Sequence, residues 1–401
     1  MIESVQIGNF KSLGDVKIPL ARFTCLVGMN GAGKSTVLQA LDFLSQLMRG
    51  DVQGWLDRRG WTAADLKCKL RTESNSTFEV TFKTADGVRL VWYGAFNRND
   101  LRCTRESVSL IQPDKTETKV FSSNGQTYSD ARAGHPIAFA YQGSILSALK
   151  GSELPEKLLE FRDALRHFRS LELLAPDKLR KSARVSDHDI GSGGEKLSAY
   201  LDTIKGERKA QLLALLQKFY PALVDYKITS QRSGWKKLSV FEQFDGQKLE
   251  TEAIHLNDGL LRILAVLAQS EADSSLLLLD ELENGINQEI VEILVDTLLK
   301  SPQQLLVTTH SPLLLNYLPD EVARTAVQFL YKTSKGETRI KAFFDIPRLS
   351  AKLDAMGPGD AFVDTDLRSL AKECMAIDTQ HEENAKAEAP AKVSSTDTGG
   401  T

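Results

Sequence analysis

Residues 23–35 read FTCLVGMNGAGKS, and the reading of this stretch decides the fold. Its second part, GMNGAGKS at 28–35, fits the phosphate-binding pattern G-x-x-x-x-G-K-S/T, with an apolar strand before it and a helix opening after it. Gly28, Gly31 and Gly33 let the backbone curl so that successive N–H groups face a polyphosphate. The following helix N-terminus adds a partial positive charge. The pattern places Asn30, Gly31, Ala32, Gly33, Lys34, Ser35 and Thr36 around ATP, with Lys34 reaching the β- and γ-phosphates and the Ser35 hydroxyl ligating magnesium. A glycine loop that merely turns the chain is the bland alternative, and the strand–loop–helix setting argues against it. Alternation over 3–10 and again over 18–27 predicts two strands feeding this turn. A helix is expected over 34–48, with Val37, Leu38, Leu41, Leu44 and Leu47 as one apolar stripe.

Working outward, SLLLLDE at 275–281 is a run of four leucines ending in two acids. A central strand buried on both faces has this form, and acids at its C-terminal end stand where ligands bind an α/β sheet. Asp280 is placed to hold magnesium through its water shell and Glu281 to orient or deprotonate the attacking water. Solvated strand-end acids are the alternative. Glu283, two residues on, reads equally well as surface charge. LLVTTHSP at 305–312 repeats the buried-strand pattern and delivers His310 to the same edge, 30 positions after Asp280, to contact a γ-phosphate.

LNDGLLRILAVLAQ at 256–269 begins 24 positions before Asp280. Asn257 and Asp258 stand where an N-cap belongs, ahead of a helix with Leu260, Leu261, Leu264, Val266 and Leu267 on its apolar face. The phosphate loop of the same subunit already holds its nucleotide, so this anion-binding helix tip is read as serving the nucleotide of a second subunit. Asp258 beside phosphate is repulsive, and Arg262, one turn on, is the expected neutralising partner. IGSGGEKLSAYL at 190–201 offers a rival glycine motif. Gly191, however, lies 89 positions before Asp280, too far for its helix to run directly into the acid-bearing strand, so the segment is assigned to a connector or helix start.

The 401 residues carry 42% hydrophobic and 26% charged side chains and a net charge of −3, which neither demands nor excludes nucleic acid. The cysteines Cys25, Cys68, Cys103 and Cys374 lack metal-ligand spacing, no apolar run approaches a membrane span, and the N-terminus carries no export signal, so a cytoplasmic location is expected. The organisation expected is an ATPase lobe over 1–142 with an antiparallel β insertion at about 71–137, marked by the turn signals Asp86-Gly87 and Asn124-Gly125. A helical insert over 143–220, a second ATPase lobe over 221–345, a helical segment over 346–375 and a disordered tail over 376–401 follow.

With these motifs in place, the chain resembles the ABC-type ATPases of the RecF/SMC class and, more closely, the compact predicted ATPases related to the OLD (overcoming lysogenization defect) proteins. IGNFKSL at 7–13, NGAGKS, LNDGLLR and DELENGIN carry the resemblance, and FRSLELLAPDKLR and GGEKLSAYL match the group's middle region. It spans about residues 1–345. It implies an α/β P-loop NTPase of ABC/SMC type, with a mixed central sheet, an antiparallel β insertion and a helical insert. By the same resemblance Asp280 is the magnesium acid, Glu281 the catalytic base and His310 the switch histidine, while Asn257, Asp258, Gly259 and Arg262 form the signature presented in trans. Gln142 couples magnesium to the helical lobe, or is a loop glutamine with no role. Asparagine at 257 replaces the usual serine, and Leu282 the usual proline. No C-terminal nuclease domain is expected. Asp364-Thr365-Asp366 has the spacing of a nuclease motif but reads as a helix cap. The function implied is a homodimer that sandwiches ATP and Mg2+ and controls a separately encoded effector, such as a nuclease, in antiphage defence. The alternative is a RecF-like clamp on DNA, for which three basic clusters speak: Arg98, Arg102 and Arg105; Lys178, Arg180, Lys181 and Arg184; Arg232, Lys236 and Lys237. A transporter subunit is disfavoured by the NFKSL start.

Overall fold

The computed structural model describes residues 1–388 except Pro113, Lys115, Ala131, Arg132, Asp187, His188 and 271–274, and side chains as far as Gln380. Three strands open the chain, β1 (Ile2–Phe10), β2 (Leu13–Pro19) and β3 (Phe23–Gly28), and helix α1 (Lys34–Arg49) follows β3. The alternation over 18–27 is therefore shared by two strands belonging to different sheets. After α2 (Val52–Arg59) come β4 (Asn75–Lys83), β5 (Arg89–Asn97), β6 (Arg102–Ile111), β7 (Glu117–Ser123), β8 (Thr127–Asp130) and β9 (Gly134–Pro136). These strands form the antiparallel sheet expected and are joined to the start of the chain. β4 pairs antiparallel with β1, giving one eight-stranded antiparallel sheet in the order β2-β1-β4-β5-β6-β7-β8-β9.

The stretch 143–220, expected to be helical, holds α3 (Ile145–Ala148), α4 (Glu156–Arg166), α5 (Pro176–Leu179), α6 (Leu197–Thr203) and α7 (Gly206–Phe219). It also contributes β10 (Phe168–Ser170), too short to show a period of its own. A three-stranded antiparallel sheet follows, β11 (Leu223–Ser230), β12 (Lys236–Phe244) and β13 (Gln247–Glu252), and then α8 (Asp258–Ser270). The remaining elements are β14 (Leu276–Leu279), α9 (Gln288–Leu299), β15 (Gln304–Thr308), α10 (Pro312–Asn316), α11 (Asp320–Ala326), β16 (Val327–Lys332), β17 (Thr338–Ala342), α12 (Pro347–Leu353), α13 (Pro358–Val363) and α14 (Leu367–Glu388).

The six-stranded central sheet runs β10-β14-β15-β3-β16-β17, parallel throughout except for β17. This is the mixed sheet expected. Its faces explain the unbroken leucines of β14. Leu276 and Leu278 join Leu26 of β3 in the core around α1, whereas Leu277 and Leu279 join Cys25 and Val27 in the core beneath α8 and α9. Helix α1 lies between the central and the eight-stranded sheets, so it is buried on nearly every side, Asp42, Ser45 and Gln46 included, and not along one stripe alone. Apolar packing of this kind contributes about 25 cal/mol per Å² removed from water.

One expectation for the C-terminus is corrected in part. Helix α14 continues to Glu388, where composition predicts a disordered tail from 376. Its first turns are anchored by Leu370 and Cys374, both fully buried, and Tyr331 donates its hydroxyl to Asp378. Residues 389–401 lie outside the described residues. Asp366 stands just before α14 and accepts from the Arg368 N–H at 3.0 Å. Among the described residues no helix is long and apolar enough to cross a membrane, and all four cysteines are buried and free.

Candidate functional site

The loop between β3 and α1 folds tightly because two glycines allow it. A Cβ on Gly28 (φ 148°) would stand 2.3 Å from the Leu330 carbonyl, and one on Gly33 (φ 113°) 2.5 Å from the Thr338 hydroxyl. The β3 register against β16, with Gly28 opposite Leu330, thus depends on the missing side chain. Lys34 is buried and its ammonium donates to the Gly28 and Met29 carbonyls at 2.9 and 3.3 Å. Burial lowers its pKa, and Asp280, Glu281 and Glu283 oppose that shift. Ala32 is buried, with its carbonyl accepting from Thr338 Oγ1 at 2.9 Å.

Parallel pairing of β14 with β15, and of β15 with β3, brings the three strand ends to one sheet edge. Ser35 Oγ donates to Asp280 Oδ2 at 3.1 Å. The Thr308 hydroxyl donates to Asp280 Oδ1 and accepts from the Glu281 N–H at 2.8 Å. Glu281 takes a left-handed backbone (φ 44°) while its carboxylate stays exposed and accepts from Asn284 at 3.3 Å. Such a conformation costs roughly 1–2 kcal/mol in a non-glycine residue, so its neighbours must hold it. The Leu282 N–H donates to the Thr308 carbonyl at 3.2 Å, a bond that proline at this position could not make. Glu283 is half-buried and its Oε1 accepts from the His310 N–H at 2.9 Å, so it fixes the backbone carrying the histidine and is more than surface charge. Burial, then the Lys34 charge, lowers the His310 pKa, which keeps its ring neutral near pH 7.

These groups surround a cavity of about 380 Å³ lined by Asn30, Gly31, Gly33, Lys34, Ser35, Thr36, Asp280, Glu281 and His310. Two residues not singled out in the sequence also line it, Ser12 and Lys332. Lys332 ends β16 and donates to Thr338 Oγ1 at 3.0 Å, and burial lowers its pKa.

Gln142 is not brought to the cavity. The residues after it are tied to the far end of α1, where the Ser144 N–H donates to Leu47 O, and the Gln142 side chain accepts from the Gln53 N–H at 3.0 Å. A 16-residue helix is about 24 Å long, so this glutamine stands about a helix length from Ser35. Its expected magnesium role is corrected on that ground.

Asn257, Asp258 and Gly259 form the tip of α8, and none of them lines the cavity of their own chain. Asn257 Oδ1 caps the helix by accepting from the Leu260 N–H at 2.7 Å, and both Asn257 and Asp258 are exposed. A Cβ on Gly259 would lie 2.9 Å from the Gly285 carbonyl, so the tip packs against the loop after β14. The Asp258 partner is Arg180, not Arg262. Arg262 is half-buried and donates to the carbonyls of Asp280 and Glu281, each at 2.8 Å, bracing the strained turn in its own chain. The basic clusters are partly committed elsewhere: Arg180 to Asp258, Lys236 to Asp202 at 2.8 Å and Lys237 to Glu252 at 2.5 Å.

The family described as "AAA domain, putative AbiEii toxin, Type IV TA system" matches residues 23–316, well over half of the chain. An OLD nuclease of Thermus scotoductus (strain ATCC 700910 / SA-01) is 46% identical over 52 residues, 13% of this chain and 9% of that protein. The match thus spans under a tenth of that relative. The petrobactin import ATP-binding protein FatE of Bacillus anthracis is 26% identical over 218 residues, 53% of this chain and 82% of its own length. Among solved structures, an SmcHead bound to the C-winged helix domain of ScpA is similar in fold, with a TM-score of 0.53 at 15% identity, covering 86% of this chain and 99% of that one.

Proposed function

We propose, from the premise that this chain belongs to the AAA-domain family that matches residues 23–316, that it is an ATP-driven switch whose site is completed by a second copy. The chain is a compact P-loop ATPase of the ABC/SMC/OLD type. One observation carries the finer reading: Lys34, Ser35, Asp280, Glu281 and His310 line one cavity, while Asn257 and Asp258 at the capped tip of α8 are exposed and do not line it. A helix N-terminus with spare N–H groups favours an anion, and a second copy's triphosphate is the anion this reading assigns to it.

In the proposed reaction Lys34 leaves the Gly28 and Met29 carbonyls for the β- and γ-phosphates. The Ser35 hydroxyl and Asp280 form an all-oxygen donor pair 3.1 Å apart, which suits Mg2+ bound to two protein groups, phosphate and water. When bound, the ion would neutralise charge on the β- and γ-oxygens. Glu281, pinned through its N–H by Thr308 and through its carbonyl by Arg262, orients a water toward the γ-phosphorus and takes its proton. His310 contacts the γ-phosphate and registers its loss. Each charge-assisted bond from a donated helix tip adds roughly 1.5–3 kcal/mol, so a few bonds in two sites suffice to tie dimerisation to ATP.

The purpose proposed for this cycle is control of a separately encoded effector in antiphage defence, a reading supported by the family description and the OLD nuclease similarity. The product of an adjacent gene, co-expressed with the chain, should copurify with it. Its activity should then differ between Lys34→Ala and Glu281→Gln complexes, and an effector indifferent to both substitutions would overturn the proposal. Salt-sensitive DNA binding that appears only with ATP would instead favour the clamp. The carboxylate pairing of Arg180, Lys236 and Lys237 makes the clamp the weaker reading.

A further inference from the structure

A second cavity, of about 440 Å³, lies between the C-terminal halves of α1 and α8 and shares no lining residue with the phosphate-loop cavity. Strand β10 and the loop 189–196, which carries the glycine motif left without a role above, form its walls. Two glutamines line its inner part, Gln46 of α1 (4% exposed) and Gln269 of α8 (0% exposed). Gln46 Oε1 and both amide atoms of Gln269 are buried without a hydrogen-bond partner. Such atoms cost about 1–3 kcal/mol each when left unmatched, so a bound molecule or water that reached them would supply the missing partners.

The charges at the mouth say which kind. Arg49 donates to the carbonyls of Arg166 and Phe168, and Arg169 to that of Phe168. Among the described residues neither guanidinium has a carboxylate within ion-pair distance. The acids that share the lining are occupied. Asp51 pairs with Arg58, Asp42 accepts from Trp55 and Arg59, and Asp189 and Glu195 accept from the N–H groups of Gly191 and Gly193. Burial and then the Arg169 charge lower the Arg49 pKa, while the nearby Asp42 and Asp189 carboxylates act against that shift. Guanidinium groups in this setting suit a phosphate. A primary amide, offering one donor edge and one acceptor, suits the donor–acceptor edge of a nucleobase. The volume lies within the roughly 300–1,000 Å³ of small-molecule sites.

We infer that this cavity binds a nucleoside 5′-monophosphate, with the phosphate on Arg49 and Arg169 and the base edge on Gln46 and Gln269. The site stands at the far ends of two helices whose near ends are the phosphate loop and the Asn257–Gly259 tip. A bound nucleotide would therefore tie together the elements that the proposed ATP cycle moves.

Calorimetric titration of full-length Lys34→Ala protein with AMP, GMP, CMP and UMP tests this with the phosphate loop disabled, so the outcome is separate from the ATPase reading. At least one monophosphate should bind at a single site. Arg169→Glu, at a half-buried position, and Gln269→Leu, of similar shape, should each weaken it tenfold or more, with helicity unchanged by circular dichroism. Absence of binding by all four at millimolar concentration would leave the cavity to ordered water and overturn the inference. So would an affinity unchanged by Arg169→Glu, or inorganic phosphate binding as tightly as the best nucleotide.

Discussion

Thr308 holds the proposed catalytic edge together at the scale of single residues, because its one hydroxyl serves both acids that follow β14 at once. Thr308→Val keeps the shape but strands the Glu281 N–H and one Asp280 oxygen. The expected cost is about 1–3 kcal/mol of stability and at least a tenfold fall in ATP turnover, with nucleotide affinity changed only a few-fold. Steady-state hydrolysis and nucleotide titration check this, and unchanged turnover would remove Thr308 from the account. A second test concerns Glu106, which is fully buried and accepts from Ser144, the Ile145 N–H at 2.7 Å and Trp92 Nε1 at 3.1 Å. Burial pushes its carboxyl from 4.5 up to about 7 despite these bonds. The folded state thus holds a proton that the unfolded chain releases, so the contribution of Glu106 to stability is full below pH 4.5 and is lost as pH rises toward 7 and above, by about 3 kcal/mol in all. Denaturant unfolding at pH 5 and pH 7.5 should show that loss in the parent and a flattened difference in Glu106→Gln. Local motifs carried Lys34, Ser35, Asp280, Glu281 and His310 in the sequence, since each sits in a short pattern with one chemical purpose. Thr308, Lys332 and the inward Arg262 were illegible, because their roles arise from pairing between strands far apart in the chain. Gln142 misled for the complementary reason: nothing in its flanking residues says which end of α1 it will meet.

At the scale of elements, α8 links the two halves of the argument. Its tip is capped by Asn257 and its second turn braces β14 through Arg262. Asn257→Ala should cost about 1 kcal/mol in denaturant unfolding, the ordinary loss of an N-cap. Asn257→Arg, on an exposed residue, should leave the monomer folded yet stop hydrolysis by collision at the shared face. A variant with normal turnover would take this tip out of the site. The stripe on α1 was readable from its leucines, but the full burial of the helix was not, because a second sheet covers its polar side. β10 escaped notice for a similar reason: three residues make no periodicity, and only the parallel register with Leu276–Leu278 defines them as a strand. The β segment after α2 was recognised from its hairpin turns, whereas its union with β1 through β4 could be seen only once folded.

For the whole molecule, the P-loop architecture was legible from the order of motifs, since a strand–loop–helix unit and two buried parallel strands admit few arrangements. The relation between copies was read from the spacing of the 256–269 motif and is carried here as a proposal. The structure leaves the cavity of one chain open to solvent at Asn30, Gly31, Ser35 and Glu281, and the α8 tip exposed elsewhere on the same chain. ATP-dependent pairing of two such chains is the central claim, and multi-angle light scattering of Glu281→Gln tests it most directly. The account predicts a monomer without nucleotide and a stable dimer with ATP and magnesium, reversed by adding Asn257→Arg. A Glu281→Gln chain that binds ATP yet stays monomeric at every protein concentration would contradict it.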